Sequence, residues 1–290
     1  LLVLLSSDAD IASMNIKARL LEEASWEPLA PCWGRPAFIR GGLVLLEKAG
    51  VHLSFDSVDS DIREYLHQQG VSSGKGLDGN GGEGPDIVVF LSKHRSEKEV
   101  DSLTVHPPGN YLEALYGGKE GTLAVAAPHH MTAALLALHR EKRAAGLPDR
   151  TSFEVTHHGP LLATPCFFIE IGSGPHRWDR VDLARPIAKA LLSERFMDPP
   201  KDIPIAIGIG GGHYAPRFSD RALKGDLAFG HMVPDHILER APDPVRTLEL
   251  AFGSTPGASV ACFHRTKDNE NALVPLISAA EAMGLNVMMG

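Results

Sequence analysis

Short apolar runs recur along the chain, and most are followed by a stretch of helical period. This alternation constrains the fold more than any other feature of the sequence. The runs read as strands are LLVLLS (1–6), DIVVFLS (86–92), TSFEVT (151–156), PCFFIEIG (165–172), IPIAIGIG (203–210), DLAFG (226–230), ASVACF (258–263) and LNVMM (285–289). The helices are DIASMNIKARLLEE (10–23), with Asp8 or Asp10 as N-cap, HMTAALLALHREKRAAG (130–146), HRWDRVDLARPIAKALLSERF (176–196), bent or restarted at Pro186, and NENALVPLISAAEAMG (269–284). GLVLLEKAGVHLSF (42–55) reads as a hairpin turning at Lys48–Gly50. Strands this apolar, alternating with helices, predict an α/β protein: a mostly parallel or mixed sheet covered by helices on both faces.

At 290 residues the expectation is a single α/β domain over 1–290. The segment 70–86 is glycine-rich with little to bury and reads as a flexible surface loop. The net charge of −8 does not announce a nucleic-acid partner, though a local basic face is compatible with it. Cys32, Cys166 and Cys262 form no CxxC pair, which favours a reduced, cytoplasmic setting. LLVLL is too short for a signal peptide, and no run approaches membrane-spanning length, so no membrane association is expected.

Fourteen histidines are many for this length, and several follow predicted strands: His94, His157, His158, His213, His231 and His264. In open α/β sheets ligands bind beyond the carboxyl ends of strands, so such residues are expected to converge there. Imidazole suits both general acid–base work near neutral pH and zinc ligation. His157 and His158 cannot both face one way if the chain stays extended. His52, His67, His139, His176 and His236 lack this context and read as surface residues, and His129–His130 sit at a helix start. Glu170 interrupts an apolar strand, and a carboxylate there must be paired, metal-bound or hydrogen-bonded. In GIGGGHYAPR the glycines are too closely spaced for the dinucleotide fingerprint, and the GK[ST] ending of a P-loop is missing. What remains is a glycine turn that lets backbone approach a ligand, followed by His213, Tyr214 and Arg217.

THHGP (156–160), EIGS (170–173) and GGGHYAPR (210–217) closely resemble motifs of the archaeal and plant type of D-aminoacyl-tRNA deacylase. DIASMNI (10–16), FLSKH (90–94), LTVHPPGN (103–110), GGK (117–119) and FGH (229–231) match in the same order. The resemblance implies a three-layer α/β/α sandwich with a mixed central sheet, akin to the phosphorylase and peptidyl-tRNA hydrolase group. It implies hydrolysis of the ester between a D-amino acid and the 3′-terminal ribose of tRNA, dependence on zinc, and removal of aldehyde-modified D-aminoacyl adducts. Relatives of this kind often continue past LNVMMG, so a longer tail is expected.

The resemblance yields a set of expected roles. His94, His157 and His213 lead the activation or zinc-ligand set, with His158 and Glu170 orienting them. Backbone N–H groups of Gly210, Gly211 and Gly212 face an oxyanion or the terminal phosphates, Tyr214 stacks on the terminal adenine and Arg217 pairs with a phosphate. Asp10 holds the α-amino group or caps the first helix. Asn15, His106 and His231 complete the substrate-binding set. The partner is D-aminoacyl-tRNA, not DNA, and a monomer is expected. The segments 139–150 and 176–189 are candidate tRNA surfaces or, alternatively, solvated helix faces. Two rival functions share these residues: a zinc-dependent amidase or peptidase on small substrates, and a non-catalytic tRNA-binding protein.

Overall fold

A computed structural model of the protein describes residues 1–72, 84–96, 100–267 and 269–289. The predicted 70–86 loop falls mostly outside the described residues. The chain begins β1 (Leu2–Ser7), α1 (Ile11–Glu23), β2 (Glu27–Cys32), β3 (Arg35–Arg40), β4 (Leu43–Lys48), α2 (Val58–Gln68), β5 (Ile87–Lys93) and β6 (Ser102–His106). It continues β7 (Gly109–Asn110), β8 (Thr122–Leu123), α3 (Pro128–Ala144), β9 (Arg150–Phe153), β10 (Cys166–Gly172), α4 (Pro175–Trp178), α5 (Val181–Leu191) and α6 (Glu194–Met197). It closes with β11 (Ile205–Ile209), α7 (Pro216–Lys224), β12 (Ala228–Val233), α8 (Asp235–Arg240), α9 (Pro244–Gly253), β13 (Ala258–Phe263), α10 (Glu270–Ala282) and β14 (Asn286–Met289).

The main sheet has eight strands in the order β2-β3-β4-β1-β5-β10-β6-β9. β4, β1, β5 and β10 are parallel, while β6 and β9 run against β10. β1 explains why its strands read as unbroken apolar runs. Leu2 and Leu4 face α1, α3 and α5, whereas Val3 and Leu5 face Val58, Ile62 and Leu66 of α2, so both faces are buried. This is the mixed, helix-covered sheet expected. The C-terminal strands do not extend it. They form a second, parallel sheet, β12-β11-β13-β14, with α9 and α10 on its own core. α3 packs on both β6 and β12 and so joins the two sheets.

Three local expectations need correction. Residues 42–55 are not a hairpin: β4 pairs in parallel with β1 and passes into a short 3₁₀ turn, His52–Ser54. The hairpins lie just before it. β2 turns into β3 through Trp33 and Gly34, both at positive φ (49° and 71°), the backbone sense that matches strand twist in a two-residue turn. EPLAPC and RPAFIR, both carrying prolines, are strands that the reading of apolar runs leaves out. β2 tolerates Pro28 and Pro31 because it is the sheet's edge. Third, residues 176–196 do not break at Pro186, which lies inside α5. The breaks fall at Asp179–Arg180 and at Ser193, whose side chain caps α6 through Phe196 N–H.

Candidate functional site

The site grows from rows of side chains across one face of the main sheet. β10 places Phe168 and Glu170 on that face, two residues apart. Register sets Phe168 beside Phe90 and His106, and Glu170 beside Ser92 and Thr104. The first row is a stacked aromatic floor, with Phe90–Phe168 centroids at 4.6 Å and His106–Phe168 at 5.0 Å. The second is polar, buried and centred on Glu170. Opposite strand directions supply it, since β5 and β10 run one way and β6 and β9 the other.

Above this floor lies a second carboxylate that the sequence reading overlooked. Glu154 follows β9, its N–H donating to Val105 O at 3.0 Å, and its side chain is fully buried. Its Oε2 accepts from His213 Nε2 at 2.8 Å and lies 3.1 Å from His94 Nδ1 and 3.6 Å from His157 Nε2. His213 arrives from the loop after β11, so the second sheet completes the cluster; its carbonyl accepts Val155 N–H at 2.9 Å. The signal for Glu154 was available: it is an acid inside TSFEVT, as Glu170 is inside PCFFIEIG. His106 Nε2 and His94 Nδ1 stand 3.6 and 3.8 Å from Glu170 Oε2.

Burial raises both carboxyls, and their partners separate them. At Glu154 hydrogen bonds from His213 and His94 outweigh burial and hold the group well below the usual carboxylate range. At Glu170 burial and the nearby Glu154 charge push the carboxyl well above it. The same buried cluster therefore favours the charged form of Glu154 and the neutral form of Glu170. His94 and His213 are raised: burial opposes, but Glu154 prevails. Burial holds His106 (about 4) and His158 (about 3) neutral, and His157 well below its usual value. His157 Nδ1 donates to Val155 O at 2.7 Å and His158 Nδ1 to Gly159 O at 2.6 Å, which leaves both Nε2 atoms as acceptors.

Three groups bring donor atoms within 4.8 Å of one another among the described residues: His94, Glu154 and His213; His106, His157 and His158; and His106, Glu154 and Glu170. Of the expected trio, His94 and His213 thus gather with Glu154, and His157 gathers with the other two imidazoles.

Residues 81–288 match the family model described as D-aminoacyl-tRNA deacylase. The chain belongs to that family. The chain is 36% identical over 241 residues to the D-aminoacyl-tRNA deacylase of Thermococcus onnurineus, covering 81% of this chain and 80% of the relative. It is 31% identical over 294 residues to that of Methanosarcina mazei, covering 99% and 91%. Its fold matches the crystal structure of a conserved protein of unknown function at a TM-score of 0.85 and 26% identity, covering 100% of this chain and 95% of the other. His94, His106, Glu154, His157, His158, Glu170 and His213 all fall inside the matched region.

The remaining expected residues divide. His157 and His158 do share the site, because His158 is left-handed (φ 45°) and the chain is not extended there; their rings lie 4.4 Å apart. Tyr214 reaches the cluster, its hydroxyl 3.3 Å from His94 Nε2, with the Arg150 guanidinium over its ring. Asp10 caps α1 through Ser13 N–H at 3.0 Å and accepts Lys93 N–H at 3.1 Å, and burial raises its carboxyl. Asn15 is spent on the carbonyls of Trp178 and Arg180. Gly210 N–H already donates to Val233 O, so it does not face an oxyanion. Gly210 and Gly211, at φ 91° and 87°, are required because a Cβ would run into His264 and its neighbours. Arg217 is exposed at the start of α7.

His231 lies inside β12 rather than beyond it, fully buried, with both ring nitrogens bonded to Thr156 and Ala124. His264 packs under the glycine turn. His52 is not a surface residue: it is buried edge-on to Phe90 and Phe168. In the candidate tRNA segments Arg140 pairs with Glu141, Arg180 with Asp182, and Arg185 with Glu22 and Glu23, as solvated helix faces do. All three cysteines are buried and free. No helix among the described residues is long and apolar enough to cross a membrane.

Proposed function

We propose that this chain hydrolyses the ester joining a D-amino acid to the 3′-terminal ribose of tRNA, releasing free amino acid and tRNA. The observation that carries the reading is the buried Glu154 carboxylate gripped by His94 and His213, beside neutral imidazoles whose Nε2 atoms are free to accept a proton.

Zinc fits the residues present. Glu154 Oε1 and His106 Nε2 are buried without a hydrogen-bond partner, and His157 Nε2, an acceptor, faces another acceptor, Glu154 Oε2, at 3.6 Å. Lone pairs aimed at a common space are what a cation satisfies. His94, Glu154 and His213 would hold it, with His106, His157 and His158 as a neighbouring donor set. Bound there, zinc supplies Lewis-acid polarisation and acidifies water.

The protein's own groups account for the proton movements. His157 Nε2 takes a proton from the attacking water as its oxygen bonds to the ester carbon, and returns it to the departing ribose 3′-oxygen as that C–O bond breaks. Val155 O, by binding Nδ1–H, fixes the tautomer this requires. Glu154 raises His94 and His213, which would serve as neutral ligands where the cation is held and otherwise donate hydrogen bonds to Glu154. Burial and the Glu154 charge favour the protonated form of Glu170. The Tyr214 ring at the mouth offers a face to the terminal base.

The test is matched hydrolysis of D- and L-tyrosyl-tRNA, with and without chelator. The expected result is release from the D-ester only, lost on chelation and restored by zinc. Equal rates on both esters, or hydrolysis of D-aminoacyl peptides instead of the tRNA ester, defeats the reading, and full activity in verified metal-free protein removes zinc from it.

A further inference from the structure

The segment 154–158 carries three members of the site, yet it lies between elements rather than within one. Its backbone shows how it is held. Glu154 N–H bonds to Val105 O of the main sheet, Val155 N–H to His213 O, and Thr156 N–H to Met232 O of the second sheet at 3.1 Å. Met232 N–H returns a bond to Thr156 Oγ1 at 3.0 Å, so Thr156 and Met232 are joined in both directions.

His231 completes the arrangement. Its Nε2 lies 2.8 Å from Ala124 O, which only accepts, so Nε2 carries the proton. Nδ1 is then an acceptor and takes the Thr156 hydroxyl proton at 3.0 Å. The hydroxyl donates to His231 and accepts from Met232. His231 is wholly buried, and burial, pushing it down to about 4, keeps the imidazole neutral as the scheme requires. Its own N–H is tied to Thr255 Oγ1, a side chain wedged against Gly230.

We infer that Thr156 and His231 are positioning residues that clamp the second sheet to the main one and thereby set the 2.8 Å approach of His213 to Glu154. Neither touches the reacting atoms. Glu154 and His213 come from different sheets, and the pairings at 155 and 156 span the gap between those sheets beside the site. A lost hydroxyl lets Met232 N–H and His231 Nδ1 go unpaired and loosens that register. The inference rests on the deacylase reading for its kinetic consequence only.

Thr156→Val, nearly isosteric, removes the hydroxyl, and Thr156→Ser keeps it. The expected result is a kcat on D-tyrosyl-tRNA reduced roughly tenfold to a hundredfold in Thr156→Val, with KM within about twofold, since misplacement of about 1 Å costs on this scale. Thr156→Ser returns most of it. The His213 ring nitrogen resonances, which report its bond to Glu154, shift in Thr156→Val and recover in Thr156→Ser. Wild-type kcat in Thr156→Val, or no recovery in Thr156→Ser, overturns the clamp. His231→Ala is measured alongside, and if it fails to fold the Thr156 pair decides. If the wild-type protein hydrolyses no D-aminoacyl-tRNA, the functional reading fails, and the resonances still test the clamp.

Discussion

Glu154 and Glu170 occupy one buried cluster and are shifted in opposite directions for identifiable reasons. Glu154 receives two imidazole hydrogen bonds at 2.8 and 3.1 Å, whereas Glu170 has its nearest imidazole nitrogen at 3.6 Å and the Glu154 charge close by. Replacing each by its amide therefore has unequal effects. Glu154→Gln removes a charge that two raised histidines depend on, and kcat for D-aminoacyl-tRNA is expected to fall by about 10² or more. Glu170→Gln mimics the neutral form that burial favours, and activity is expected to stay within about tenfold of wild type. Steady-state deacylation of the two variants checks this, with unfolding curves to show both are folded. Equal losses sink the assignment of states. The two acids were equally visible in the sequence, each a single carboxylate in an apolar strand, and only one was picked out.

At the scale of elements, α1 shows how a candidate ligand becomes a structural residue. Asp10 receives Ser13 N–H and Lys93 N–H and lies 3.3 Å from Ser92 Oγ, so it ties the start of the helix to the end of β5, next to His94. Asp10→Ala is expected to destabilise the protein by about 1–2 kcal/mol, the ordinary value of a good N-cap, and to leave KM for D-aminoacyl-tRNA unchanged. Denaturant unfolding and initial-rate kinetics measure the two, and a large rise in KM at unchanged stability would return Asp10 to the binding set. Helix α1 itself was legible because its cap and periodicity are local. The strands β2 and β3 were not, because being a tolerant edge is a property of the sheet rather than of a proline-bearing run.

For the whole molecule, the cost of burying so much imidazole becomes a pH dependence. His52, His130 and His231 lie away from the carboxylate cluster and are pushed by burial to about 3, 4 and 4 from an ordinary 6.5. Below about 6.5 the unfolded chain takes up protons that the folded one refuses, so stability rises with pH in that range. It is fully present above 6.5 and is lost as pH falls toward the folded values, up to roughly 3–5 kcal/mol for each histidine. Thermal midpoints are expected to drop steeply between pH 7 and 5, and His130→Phe, which suits the ring's packing on Phe196, to flatten part of that slope. A midpoint unchanged across this range contradicts the neutral assignment.

The sequence by itself determined the strand and helix alternation, the burial of both sheet faces, and the short motifs around His94, His157, His158 and His213. These are properties of local period and composition, which burial on two faces writes directly into the chain. The tertiary structure decided the rest. It divided the strands between two sheets, put Glu154 at the centre of the histidine cluster, bonded His231 to Thr156 and Asp10 to the start of α1, and stacked His106 into the aromatic floor. Each of these depends on which strand lies beside which and in what direction, and pairing between residues 50 to 120 positions apart leaves no local trace.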